Sequence, residues 1–151
     1  MKAAVAMRCL VGIDYGEKRI GVAIGDMETR IATPKAVVEG RNDPTRDARR
    51  LADWGREAEA AAFVVGLPLN MDGSEGPQAA LTRRFASELG RLSGLPVYLR
   101  DERLTSFAAG DALESAGVPS RKRKNLMDAV SAQKILQAYF DQGLANEAQR
   151  D

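Results

Sequence analysis

A chain of 151 residues, 44% hydrophobic and 28% charged, fits one ordinary domain with room for a buried core. It has no histidine and one cysteine, Cys9, which excludes Ser-His-Asp and Cys-His triads, an internal disulfide and ordinary zinc sites. The 22 basic and 21 acidic residues leave a net charge of +1, so a case for a polyanionic partner has to rest on local clustering.

Cys9–Asp14 and Ile20–Ile24 are short, mostly apolar runs split by a polar turn containing Gly16, the pattern of a hairpin of buried strands. A weaker third strand falls around Ala36–Val38. Asp43-Pro44 reads as a helix start, an N-cap followed by proline in the first turn. Ala48, Leu51, Ala52, Gly55 and Ala58 follow at helical spacing. Ala62–Val65 is a compact strand ended by Gly66. Leu81, Phe85, Leu89 and Leu92 recur every three or four residues as a second helix, closed by Gly94 and Pro96. Val97–Leu99 is a strand running into Arg100, Asp101 and Glu102. A short helix is predicted from about Ser106 to Ala116, stopped by Gly117 and Pro119, and a last one from about Lys124 to Phe140.

Neither a repeat nor a linker divides this order, so residues 1–151 read as one domain, with 1–8 and 142–151 expected to be flexible tails. No apolar run approaches the ~20 residues a membrane helix needs. The start reads directly into a strand without an evident secretory signal, and the single cysteine fits a reducing cytoplasm.

Strands alternating with helices in the second half predict parallel pairing to the first strand. Ligands of such sheets gather beyond the carboxyl ends of the parallel strands. Asp14, the segment Gly66–Asn70 and the pair Asp101-Glu102 all fall at those ends, so three polar clusters converge on one edge.

Alternation sets Leu10, Gly12 and Asp14 on one side of the first strand and Val11 and Ile13 on the other. A carboxylate at the end of an apolar strand needs a partner; an Asx-type turn onto its own backbone is the structural alternative. On the last helix, Leu126, Ala129, Val130, Ala132, Ile135, Leu136, Tyr139 and Phe140 form one apolar arc, and Asp128 falls inside it rather than with Lys134 and Gln137. The alternative for Asp128 is a buried ion pair with an arginine such as Arg19 or Arg103. Asp101 and Glu102 point to opposite sides, so one of them at most readily faces the same site as Asp14. Arg121, Lys122, Arg123 and Lys124 place four cations just ahead of the Asp128 helix, against its macrodipole. That arrangement suits a phosphate-gripping loop beside acids that hold metal, or else a solvated charge run. The segment GLPLNMDGSEGPQA joins a strand to a helix start, where backbone N–H groups receive phosphate or carboxylate in many folds.

Together GIDYGEKRIGVAIGD, VVGLPLNMDGSEGPQA, VYLRDERLTS and RKRKNLMDAVSAQKIL resemble the YqgF-type family of Holliday-junction-resolvase-like, pre-16S ribosomal RNA nucleases, over about Val11 to Asp141. The resemblance implies a ribonuclease-H-like α/β fold, a five-stranded mixed sheet with helices on both faces. It implies metal-binding, catalytic acids at Asp14, Glu102 and Asp128, and phosphate contacts from Arg19 and Arg103. Ser106 and Ser131 depart from the family pattern without touching those ligands. The implied activity is a Mg²⁺- or Mn²⁺-dependent endonuclease acting in 5′-end processing of precursor 16S ribosomal RNA, with the ribosome as a further partner. Two ions about 4 Å apart would bridge the scissile phosphate. Resolution of Holliday junctions or other branched DNA is the main alternative. A non-catalytic nucleic-acid-binding module stands behind it, since a pure binder gains nothing from acids beside phosphates. GIDYGEKRIGVA also resembles the phosphate loop of actin and sugar-kinase folds, but those need two lobes and a longer chain.

Overall fold

A computed structural model describes residues 9–104 and 120–142, with the backbone alone for Leu104 and 120–126. Five strands, β1 (Cys9–Tyr15), β2 (Arg19–Asp26), β3 (Ile31–Glu39), β4 (Ala60–Leu67) and β5 (Val97–Asp101), form one sheet in the order β3-β2-β1-β4-β5. β1, β2 and β3 are antiparallel neighbours, whereas β4 runs parallel to β1 and β5 parallel to β4. The sheet is mixed, as expected. The carboxyl ends of β1, β4 and β5 lie side by side at one edge.

Three helices cover the sheet: α1 (Pro44–Ala58), α2 (Pro77–Ser93) and α3 (Ser120–Gln142). Asp43 caps α1, its carboxylate accepting from the Thr45 and Arg46 amides at 3.1 and 3.3 Å. α2 ends at Gly94, whose φ of 74° is the left-handed cap conformation. One face of the sheet offers Val11, Ile13, Ile20, Val22, Phe63 and Val65 to the apolar stripes of α1 and α2. On the other face α3 lays Ala132, Ile135, Leu136, Tyr139 and Phe140 over Leu10, Ala23, Ala62 and Val64. Each large side chain so buried contributes about 1.5–3 kcal/mol relative to exposure.

α3 lies close because the strands beneath it lack side chains at the right places. A Cβ built on Gly21 would come within 1.8 Å of the Asp128 carbonyl oxygen, and one on Gly12 within 2.8 Å of Leu136 Cβ. The helix backbone therefore sits directly on the sheet at Gly21, the cross-strand partner of Asp14.

Several boundaries differ from the sequence reading. β3 spans nine residues rather than three. It is an edge strand with alternating exposure, and Pro34 falls at a register shift against β2, so its apolar signal is diluted. Gly66 lies within β4 instead of ending it. α3 begins at Ser120, so the run Arg121–Lys124 forms its first turn rather than a loop ahead of it. Gln137, expected on a solvated face, accepts from the Ala32 amide and donates to the Arg30 carbonyl at the edge of β3. The helix expected over 106–116 lies outside the described residues, as do 1–8 and 143–151 of the expected tails.

Candidate active site

Asp14 is the penultimate residue of β1 and points, with Leu10 and Gly12, to the α3 face. Its opposite neighbours Ile13 and Tyr15 belong to the α1–α2 core. Strand parity decides the next acid. Val97 and Leu99 of β5 face α1 and α2, so Asp101 follows them, whereas Glu102 turns to the α3 face at the start of a 3₁₀ turn, Glu102–Leu104. A Cβ on Gly66 would stand 2.9 Å from Glu102 Oε1, so that glycine makes the space the carboxylate occupies beside β4. Asp128 arrives from above on α3, with its backbone over Gly21. Elements distant in sequence thus bring Asp14, Glu102 and Asp128 to one place.

The electrostatics register that convergence. Asp14 is pushed up to about 8, first by burial, then by the charge of Glu102 and a side-chain hydrogen bond with it, and finally by the charge of Asp128. Burial and the neighbouring carboxylates thus favour the protonated form of Asp14, which is hydrogen-bonded with Glu102. Asp128 carries a different counterweight: Arg19 Nε donates to its Oδ2 at 2.8 Å, with the two side chains 50% and 28% exposed. The arginine pairing held open as the alternative for Asp128 is thus present, at the rim rather than in the core.

Asp101 is occupied on the opposite side. Arg103 Nη2 donates to Asp101 Oδ2 at 2.7 Å, which holds that carboxyl below its usual range. Arg103 also reaches the Asn70 and Met71 carbonyl oxygens at 3.4 and 3.2 Å. It clamps the loop that leaves β4, so its described partners are protein groups. That loop spends its own amides internally: Asn70 N donates to the Ser74 carbonyl, Gly73 N to the Asn70 carbonyl and Ser74 N to Asp72 Oδ1. These three amides are engaged within the turn. The first turn of α2 behind it has no side-chain cap. The side chains of Arg121, Lys122, Arg123 and Lys124 lie outside the described ones; their backbone forms the first turn of α3.

Residues that sequence reasoning missed support the site from behind. Asp47, fully buried, accepts from the Tyr15 hydroxyl at 2.8 Å and the Arg41 amide at 2.9 Å. Tyr15 stacks on Phe85 with ring centroids 4.1 Å apart. Gln78 Nε2 donates to the Tyr15 carbonyl at 3.1 Å. These contacts fix the end of β1 beside Asp14. A buried aspartate in a helix's first turn was the available signal. Arg100 is buried to 1% exposure on the α3 face, its Nη2 donating to Gln142 Oε1 while Nε and Nη1 have no partner among the described residues.

The donor set suits a hard cation. Every candidate ligand atom is a carboxylate oxygen, as Mg²⁺ and Mn²⁺ prefer. Among the described residues no group of three or more Cys, Asp or Glu side chains is arranged as a finished metal-binding set. Asp14 is hydrogen-bonded with Glu102, and Asp128 accepts from Arg19 Nε.

Comparison with known proteins follows the same lines. The RuvX family model, described as Holliday junction resolvase, matches residues 8–142. A protein of Methylobacillus flagellatus named "Putative pre-16S rRNA nuclease" is 43% identical over 144 residues, 95% of this chain and 97% of its own length. One of the same name from Chloroflexus aggregans is 45% identical over 132 residues, covering 87% and 92% of the two chains. Among solved structures, Thermus thermophilus RuvC superposes with a TM-score of 0.56 at 17% identity, covering 95% of this chain and 98% of that one. At that identity the likeness establishes the ribonuclease-H-like fold. The same protein solved with a Holliday junction substrate gives a TM-score of 0.55.

Proposed function

The chain belongs to the RuvX family, described as Holliday junction resolvase, and from that premise we propose that it is a metal-dependent endonuclease whose ligands are Asp14, Glu102 and Asp128. The observation that carries this reading is that Glu102 and Asp128, from the end of β5 and from α3, converge on the buried carboxyl of Asp14. Burial and two neighbouring carboxylates penalise its charge, a cost that a bound cation removes. Held by the three acids, Mg²⁺ or Mn²⁺ would supply an activated water and neutralise charge building on the phosphate.

The remaining groups have definable work. Gly21 and Gly66 admit Asp128 and Glu102 to the position of Asp14. Arg19, half-exposed at the rim, can leave Asp128 for a phosphate oxygen once another cation serves that carboxylate. Arg121, Lys122, Arg123 and Lys124 add positive charge on the helix that carries Asp128, suited to the substrate backbone. Arg103 holds the β4–α2 loop to Asp101, and its partly exposed guanidinium can also meet a substrate phosphate.

The substrate proposed is precursor 16S ribosomal RNA, cut in maturing its 5′ end, because relatives 43% and 45% identical across nearly their whole lengths carry that name. A four-way DNA junction is the second reading, favoured by the description of the matching family. Cleavage of both substrates under Mg²⁺, Mn²⁺ and excess EDTA tests the reading. Cutting of the RNA alone supports ribosomal processing, and cutting of the junction alone replaces it. Full activity of a metal-free preparation in EDTA overturns the metal-dependent mechanism.

A further inference from the structure

Met71 is 96% exposed, far above the other exposed large apolar side chains among the described residues, Ile31 at 60%, Met27 at 43% and Met127 at 40%. It stands at the tip of the loop between β4 and α2. Isolated apolar residues on a surface are ordinary, but this one is held in place. A bridge between Leu69 and Glu75 closes the loop's base, and Asn70 Nδ2 donates to Ser74 Oγ at 2.9 Å. Arg103 holds the Met71 carbonyl itself at 3.2 Å. The tip is thus fixed to the residue that follows Glu102, and its loop leaves β4 just past Gly66, against which Glu102 packs.

The charges around it narrow its use. Asp72 and Glu75 flank the tip. Ser74 hydrogen-bonds Asp72 at 2.6 Å, and Arg83 pairs with Glu75 at 2.8 Å. A loop bearing carboxylates, with the Asn70, Gly73 and Ser74 amides engaged internally, is poorly suited to grip a phosphate backbone. A preorganised apolar tip on a loop that leaves the sheet edge where β1, β4 and β5 end instead suits the faces of nucleobases, which accept apolar side chains as wedges.

We propose that Met71 is a base-contacting residue, packing against a nucleobase that flanks the scissile phosphate and so positioning the substrate over the acids. This rests on the nuclease reading above. Its energy is non-electrostatic, and the loop that presents it is positioned by Arg103.

The test is binding of a labelled precursor 16S RNA leader and a labelled four-way DNA junction in EDTA, by fluorescence anisotropy across a salt series. Met71→Ser should weaken binding of the preferred probe about fivefold, the low end of what removing a base-stacking side chain costs. The slope of log K against log salt should stay at its wild-type value. Met71→Trp, made in a Trp54→Phe background, should restore affinity, and its fluorescence should be quenched when the probe is added. Wild-type affinity in Met71→Ser with no quenching in Met71→Trp overturns the proposal while leaving the nuclease reading intact. A shallower salt slope in Met71→Ser overturns it too, since that marks a charge effect. Failure of the wild type to bind either probe brings down both.

Discussion

Arg19 and Asp128 stand 109 positions apart and meet through a 2.8 Å hydrogen bond from Nε to Oδ2 at the rim of the acid cluster. The pair is substantially exposed, so its own contribution to stability is small, about 0.2–1 kcal/mol. Its consequence lies in competition. Arg19→Gln frees a carboxylate oxygen, and Mn²⁺ should bind the substrate-free protein about 1.4- to 5-fold more tightly, the same energy expressed as affinity. Oligonucleotide binding should weaken, because the guanidinium is then lost to phosphate. Calorimetric titration of Mn²⁺ checks this; unchanged metal affinity would show that Arg19 does not compete.

Asp14 makes the metal-free protein sensitive to pH. Its folded pKa of about 8 lies above the ordinary carboxyl value of 3.8. Between these limits the folded state keeps a proton that the unfolded state has released. Stability therefore falls as pH rises from about 4 to about 8, with no further change from this group above that window. Asp14→Asn cannot lose the proton. In EDTA its melting temperature should exceed the wild type's by a margin that widens across that window. A constant margin would place Asp14 in an environment that does not disfavour its charge.

Glycines beneath α3 should be unequal in their tolerance of a methyl group to one elsewhere. Gly21→Ala meets the Asp128 carbonyl oxygen at 1.8 Å and has to push the helix off the sheet. The expected cost is about 1–3 kcal/mol or more, and cleavage should fall further than stability alone explains, since Asp128 moves with the helix. Gly90→Ala in α2 meets Val97 Cγ2 at an ordinary 3.6 Å and should stabilise by about 0.5–1 kcal/mol. Denaturant melts of both variants decide the matter. A neutral Gly21→Ala would mean that α3 seats less tightly than a 1.8 Å approach demands.

The strands and helices whose pattern was strong were legible in the sequence. Asp43 caps α1, Gly94 closes α2, and β1 alternates as Leu10, Gly12, Asp14 against Val11, Ile13. Asp128 was visible because a charge inside an apolar arc has to be explained. β3 was hidden by its edge position and Pro34, where exposure rather than burial sets composition. Contacts between distant residues were also out of reach. Local pattern cannot say that Arg103 reaches the Asn70 and Met71 carbonyls, that Asp47 holds Tyr15, or that Gln133 and Gln137 of α3 bind the backbone of the β3 edge. Glycine spacing alone did not reveal that Gly21 is where α3 touches the sheet.

The basic first turn of α3 opposes that helix's macrodipole, a small cost accepted only if the charges serve something else. Changing Arg121, Lys122, Arg123 and Lys124 together to glutamine should remove that cost and leave the melting temperature equal or slightly higher. Nucleic-acid binding should weaken, and the slope of log K against log salt should become shallower by about one unit for each phosphate no longer neutralised. Metal binding by the three acids should persist. An unchanged slope, measured by anisotropy over a salt series, would return the run to a solvated surface.

Asp101 and Glu102 are adjacent, yet strand parity sends them to opposite faces, and their substitutions should separate. Glu102 faces Asp14 and is hydrogen-bonded to it; Glu102→Gln keeps the shape and can still share a hydrogen bond, but no longer offers a charged oxygen to a cation. Cleavage should drop at least about a hundredfold, the scale on which a bound cation stabilises charge in phosphoryl chemistry. The fold should hold, since relieving repulsion among clustered acids is not destabilising. Asp101 instead pairs with Arg103 at 2.7 Å, at 20% side-chain exposure. Asp101→Asn loosens that clamp, costs about 0.2–1 kcal/mol of stability, and frees the β4–α2 loop. Its cleavage rate should fall only severalfold, through weaker substrate binding, with Mn²⁺ affinity unchanged. Single-turnover rates and calorimetry on the two variants, side by side, separate the roles. An inactive Asp101→Asn beside a fully active Glu102→Gln would exchange their assignments and move the metal site to the other face of the sheet.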